Sequence, residues 1–488
     1  MNKQNWLLKL KKDPVKPIFI IIGLAILAYV SFYYLKLTHF PIGDDPAHHI
    51  SQAMRILDPK TVFRQITHSF YPICNILFAF VKILSFQAWP IAFIITISLF
   101  LFFTCLALFY FVFKVTKDAR IGIAVAIILS SSRWLFDNIR TGLLAEVLAW
   151  GFFILTSYFF VKRNLVWSLI LLVLLAFSHP LVFAVTLMIF LCYSMVLLTD
   201  LNKEKAVFLI RFWLITAVLL LINYLVLPSK IEVFSILAKT SGLVGARPLK
   251  IIFTEEVFLR FMVYIMGTIG VIFSLKHWKK DYIKYFLTLL VVSILMVLSY
   301  QWGLKFYVFR FYTYLEIAFA FFSGYGIVNL IDYLPKFKFL PAGRQDSNIP
   351  YYLILLFFII ILIIPNIRAN TAITNWQKSD IYALAILPEQ DRITLDWAKN
   401  NLPKDSVFVS PTRWGTWIRP LTGFENHELD YLFETNKIDS VYKKMKKIKA
   451  DYFFLSQINR KRAIEDPAWD MYFEKIYNNE QSRIYRVK

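Results

Sequence analysis

Cysteine is scarce: the 488 residues hold three, Cys74, Cys105 and Cys192. All three lie in apolar surroundings at no metal-ligand spacing, so neither a disulfide framework nor a cysteine-held metal organises the chain. Period-two alternation is missing from the long apolar runs, which favours helices over a closed barrel among the two structures that can span lipid. Acidic residues are few, 32 against 54 Lys and Arg, for a net charge of +22. The basic residues sit mostly in short loops and one tail, a distribution that argues against a nucleic-acid partner. Abundance lies elsewhere: 58% of the residues are hydrophobic and 47 are Phe, far beyond the needs of a soluble core.

Repeated apolar runs of membrane length therefore predict a polytopic α-helical membrane protein. Lys3, Lys9, Lys11, Lys12 and Lys16 precede the first run, and no small-residue cleavage site follows it, as in an uncleaved signal anchor. Spans are expected at 18–37, 90–113, 121–135, 142–161, 165–178, 181–199, 206–227, 257–275, 283–300, 306–333 and 350–367, about 11 transmembrane helices with the N-terminus inside and the C-terminus outside. In this arrangement the cytoplasmic segments hold 19 Lys and Arg in 57 residues and the outer ones 12 in 102. Residues 70–86 are apolar but contain Pro72, Asn75 and Lys82, and read as an interfacial or re-entrant helix. Ser178-His179-Pro180 interrupts a longer run with a tight outer turn.

Residues 1–368 thus form a transmembrane domain whose first outer loop is 39–89. After Pro365 the composition turns polar, and 369–488 read as a small extracytoplasmic α/β domain. It has a helix at 391–401, strands at 406–410 and 451–456, a polar helix near 429–447, and a closing hairpin of 473–477 with 482–487.

The segment Gly43-Asp44-Asp45-Pro46-Ala47-His48-His49 follows the first span and carries two carboxylates and two imidazoles. Asp45 and Pro46 suit the start of an amphipathic helix, with Ala47, Ile50, Met54 and Leu57 on one face and His48, Gln52 and Arg55 on another. Capping accounts for Asp45. Asp44, one residue upstream, has no such structural duty and can face a cleft where phosphates bind. His48 and His49 are either interfacial side chains or ligands. A second cluster comprises Arg133, Asp137, Arg140 and Glu146; Glu146 sits at an apolar helix start, where it either pairs with Arg140 or joins Asp44. Arg310 and Glu316 lie near the tenth span among Tyr307, Tyr312 and Tyr314, an aromatic belt, and Arg310 either snorkels or meets a lipid-borne phosphate. His179 is a weaker candidate at the outer turn. No zinc or calcium spacing is present; a divalent cation, Mg or Mn, on Asp44 and Asp137 is the metal site left open.

A signal anchor, an acidic pair opening an interfacial outer helix, about ten further spans and an outer α/β tail resemble GT-C-fold glycosyltransferases. These include protein O-mannosyltransferases, aminoarabinose transferases and oligosaccharyltransferases. The family's Asp-Glu-x-x-Tyr-like pattern falls on Asp44, Asp45 and His48, departing at the second and third positions. Further echoes are Gly142-Leu143-Leu144-Ala145-Glu146, Arg310-Phe311-Tyr312 and Trp414-Gly415-Thr416-Trp417.

The resemblance implies transfer of a sugar from a polyprenyl-phosphate donor to a lipid, glycan or protein acceptor on the outer face of a prokaryotic plasma membrane. Asp44 and Asp45 would be catalytic; His48, His49, Arg140, Glu146, His179 and Arg310 would bind substrate. Two other classes stand beside it. A secondary transporter predicts inverted repeats, and no convincing repeat of the first half is found in the second. A noncatalytic binding or scaffold protein predicts that replacing Asp44 leaves function intact.

Overall fold

A computed structural model of the chain describes residues 15–33, 41, 45–63, 69, 71–132, 135, 142–200, 202–226, 256–299, 308–333, 354–357, 360, 387–410, 416–428, 438–456, 469–479 and 482–488. The apolar runs fold as helices α1 (Val15–Phe32), α2 (Asp45–Leu57), α3 (Pro72–Ser85), α4 (Trp89–Thr116), α5 (Ala119–Ser130), α6 (Leu144–Val161), α7 (Leu165–Ser178), α8 (Pro180–Leu197), α9 (Lys203–Val226), α10 (Glu256–Leu275), α11 (Asp281–Leu298) and α12 (Val308–Tyr333). Among the described residues five segments are long and apolar enough to cross a membrane: Trp89–Thr116, Leu144–Val161, Pro180–Asp200, Asp281–Leu298 and Arg310–Tyr333. The architecture is that of an integral membrane protein. The first helix covers 15–32 where 18–37 was expected, and of the segment 350–367 only 354–357 and 360 are described.

Polar residues between the runs set the helix ends. Asp118 caps α5 by accepting from the Arg120 amide, and Asn164 caps α7 by accepting from the Trp167 amide. His179 alone joins α7 to α8: in extended conformation it ends one helix, and its Nδ1 accepts from the Val182 amide to start the next. At 14 residues α3 rises about 21 Å, short of a hydrocarbon core of about 30 Å. It buries Cys74, Asn75, Phe78 and Ala79 and turns Phe80, Ile83 and Leu84 outward.

Charge gathers past the C-terminal end of α6. There Arg163 meets Glu204 (3.0 Å) and Asp281, Lys205 meets Asp200 (2.8 Å) and Asp281 (3.4 Å), and Lys284 meets Asp200 (2.8 Å). Three of the basic segments that the charge count places on one face therefore converge, about 25 Å along α6 from Glu146 in its first turn.

The polar tail supplies α13 (Glu389–Asn401), β1 (Val407–Ser410), α14 (Ile418–Thr422), β2 (Glu425–Glu428), α15 (Ile438–Lys447), β3 (Tyr452–Leu455), α16 (Trp469–Tyr472), β4 (Phe473–Asn478) and β5 (Arg483–Val487). The five strands form one sheet in the order β2-β1-β3-β5-β4, with β1 parallel to β2 and β3, and the expected hairpin β4–β5 antiparallel. Strand β2 was not expected. The polar helix near 429–447 starts at Ile438, residues 429–437 lying outside the described set. Helix α14 packs against both α13 and α2, seating the tail on the membrane part of the chain.

Helices α10 and α12 approach through small residues. A Cβ added to Gly270 would stand 1.8 Å from the Phe322 carbonyl oxygen, and one added to Gly326 would stand 2.4 Å from that of Met266. Because the obstacle is backbone, Gly270→Val is expected to cost about 3 kcal/mol or more. Thermal unfolding of the purified protein in detergent should show a fall of several degrees.

Candidate active site

Five helices begin in one region, and their first residues carry most of the chemistry. Helix α2 opens with Asp45 in its first turn, so the helix starts one residue earlier than expected and Asp45 lies inside it rather than at the cap. Pro46 then lies against Gly142, which adopts φ +81; a Cβ there would fall 2.4 Å from the Pro46 ring. Glycine thus lets the start of α2 touch the approach to α6. Glu146, in the first turn of α6, is 1% exposed. Its Oε2 stands 3.6 Å from Nε of Arg310, on the first turn of α12. Burial of a carboxylate among apolar helices is costly without a partner, and this pairing supplies one. The expected partner Arg140 lies outside the described residues, as do Asp44, Arg133 and Asp137.

His179, the start of α8, stacks on Tyr71, the start of α3, with ring centroids 5.3 Å apart at 12°. Tyr71 in turn feels Arg310, Asp45 and Glu146, and His179 feels Arg310 and His49. Burial pushes the Tyr71 hydroxyl up to about 12 and holds His179 well below its usual value, with Arg310 and His49 adding to the depression. His179 is therefore neutral, and because Nδ1 accepts from the Val182 amide, its proton resides on Nε2.

The middle of α2 is held by buried amides. Asn75 donates to Gln52 Oε1 and to Ser69 Oγ (3.1 Å), and Ser69 donates to the same Gln52 Oε1 (3.0 Å). With the Asn75 nitrogen so committed, its oxygen faces His49 Nδ1 at 2.9 Å, and His49 must donate. The Gln52 nitrogen donates to His48 Nε2. His49 is buried, contrary to its reading as an interfacial side chain, whereas His48 is exposed. The expected polar face of His48, Gln52 and Arg55 is also corrected: Gln52 turns inward with His49, while Leu57 is 41% exposed. Tyr312 and Tyr314 are buried as well, so they line the bundle rather than an interfacial belt.

The structure thus brings Asp45, His49, Glu146, His179 and Arg310 into one electrostatic neighbourhood, with His48 on the outer side of α2. Sequence reasoning missed Tyr71, Asn75, Gln52 and Ser69. The polar Asn75 inside an apolar helix was the visible signal. Among the described residues no group of three His, Cys, Asp or Glu could hold a metal. Helix starts present partial positive charge, and with Arg310 they give the region groups that can meet an anion such as a phosphate.

No family model matches the chain, and no curated protein matches it in sequence. Solved structures do. ArnT from Cupriavidus metallidurans in the apo state is 9% identical, with 97% of this chain and 98% of that chain covered, at a TM-score of 0.58. The Archaeoglobus fulgidus oligosaccharyltransferase, in complex with Zn and sulfate, is 15% identical, with 96% and 72% covered, at 0.56. The fold is GT-C. Arabinofuranosyltransferase AftD from Mycobacteria is 12% identical at 0.53; the match covers 96% of this chain and only 40% of that one. At such identities the likeness concerns the fold, and the chemistry rests on the residues themselves.

Burial pushes His49 down to about 4, against the opposing hydrogen bond to Asn75. Unfolded, the ring takes a proton near pH 6.5. Between those values the unfolded chain binds more protons, so this residue's stabilisation is full above pH 6.5 and fades as pH falls toward 4, by up to about 3 kcal/mol. His49→Gln should flatten the fall in unfolding temperature across that window relative to wild type.

Proposed function

We propose that the protein is a membrane glycosyltransferase that moves a sugar from a polyprenyl-phosphate-linked donor to a lipid, glycan or protein acceptor at the outer face of a prokaryotic plasma membrane. The observation that carries the reading is Arg310 held by a buried Glu146 where five helices begin, beside the Asp45 end of α2. The structural neighbours support it: ArnT from Cupriavidus metallidurans was also solved bound to undecaprenyl phosphate, at 10% identity and a TM-score of 0.56.

In this mechanism an acceptor hydroxyl attacks the anomeric carbon. The bond from that carbon to the phosphate oxygen breaks, and its electron pair leaves with the lipid phosphate. The hydroxyl proton passes to the carboxylate pair, Asp44 serving as base and Asp45 beside it, and a single displacement inverts the anomeric centre. Arg310 neutralises the charge that grows on the departing phosphate. Glu146 pairs with that guanidinium, its Oε2 standing 3.6 Å from Nε, and keeps it at the helix starts. Neutral His179 offers an Nε2–H donor, and His48, His49 and Arg140 orient the sugar or acceptor. Asp45 and Glu146 are hard oxygen donors suited to Mg or Mn only if Asp44 or Asp137 completes the set, so no step is assigned to a metal.

This reading keeps about eleven transmembrane helices, N-terminus inside and C-terminus outside. It also keeps the division into a transmembrane part at 1–368 and an outer α/β domain at 369–488. Five helices of sufficient length, and the charged cluster at the end of α6 remote from Glu146, support that orientation. The test is turnover of a panel of polyprenyl-phosphate sugars with membrane extract as acceptor source, with and without chelator. Wild type should release or transfer sugar, and a folded Asp44→Asn protein should lose at least about a hundredfold in kcat. Equal activity in the two would remove Asp44 from the mechanism.

A further inference from the structure

Helix α2 is held at its far end by the tail. Arg55, in its last turn, donates from Nη2 to Glu425 Oε1 at 2.7 Å, and Arg419 Nη1 meets the other oxygen, Oε2. One carboxylate therefore takes one arginine on each oxygen, an arrangement that fixes its orientation as well as its position. Glu425 begins β2, an edge strand of the tail sheet, and Arg419 lies on α14, the helix that packs on α2. Arg419 is set between the buried Ile418 and Pro420 and is followed by Gly423 at φ +86, which closes the helix and turns the chain into β2. Asp58 adds an opposite charge near Arg419, and the Thr61 hydroxyl donates to the Arg55 carbonyl oxygen at 2.7 Å, ending α2.

Arg55 is ten residues from Asp45, about 15 Å along a rigid helix. The opposite end of α2 sits on Gly142, and its middle is tied to Asn75 and Ser69. We propose that Arg55 and Glu425 are positioning residues through which the C-terminal domain sets the placement of Asp45 in the transfer site. This rests on the reading of Asp45 as part of that site.

The side chains of Arg55 and Glu425 are 35% and 39% exposed, so their contribution to stability is small. Their effect on rate is not, because a small misplacement of a catalytic carboxylate lowers turnover steeply.

The test uses the full-length protein with Arg55→Gln, Glu425→Gln, the double variant and Arg55→Lys. Each single Gln variant should lower kcat about tenfold or more with donor KM unchanged, and Arg55→Gln, which leaves Glu425 paired with Arg419, should do so with unfolding temperature unchanged. The double variant should match the singles rather than multiply them, and Arg55→Lys should regain part of the rate. Hydrogen exchange is read on the same proteins and needs no substrate: amides of 45–57 should exchange faster in Glu425→Gln, those of 144–161 unchanged. If wild type turns over no donor, the transfer reading fails and exchange alone decides the clasp. Unchanged exchange at 45–57, or unchanged kcat in an active protein, overturns it.

Discussion

A carboxylate buried at the mouth of an apolar bundle has to be matched, and Glu146 is matched by Arg310. That one constraint brings the start of α6 to the start of α12. Neither charge is matched there without the other, since burying an unpaired ion among apolar helices is costly. Tyr71 and His179 complete the same corner by stacking, and burial keeps His179 neutral beside the arginine. A guanidinium among helix starts, bordered by apolar helices, is a group that can meet an anion carried on a lipid.

Around that corner, α2 does the placing. Its first turn rests on a glycine whose missing Cβ makes room for Pro46, its middle on an amide network, and its last turn on the tail. Three independent holds on thirteen residues leave the helix little freedom of tilt or rotation, which fixes the carboxylate at its start. The amide network also assigns protons: His49 donates from Nδ1 and His48 accepts at Nε2, so the two neighbouring imidazoles have distinct tasks.

Much of the membrane part was legible in the sequence, because runs of Phe, Leu and Ile broken by Asp118, Asn164 or His179-Pro180 leave few alternatives for helix ends. Glu146, His179 and Arg310 stood out for the same reason, as polar residues where apolar ones are the rule. The inward turn of His49 and Gln52 was not legible, since it depends on Asn75 and Ser69 arriving from another element. Strand β2, Glu425-Asn426-His427-Glu428, carries no apolar alternation; it is an edge strand, where charge is favoured and hydrophobicity is not required. Its first residue then meets Arg55 across 370 positions of sequence, a pairing no local pattern announces.

The central claim is that the Arg310 corner receives a lipid-borne phosphate. Equilibrium binding of undecaprenyl phosphate to the wild-type protein and to Arg310→Gln tests it most directly. Loss of a charge-assisted contact predicts affinity weaker by roughly tenfold to a hundredfold in the variant, with the fold retained. Equal affinity in the two proteins would contradict the account.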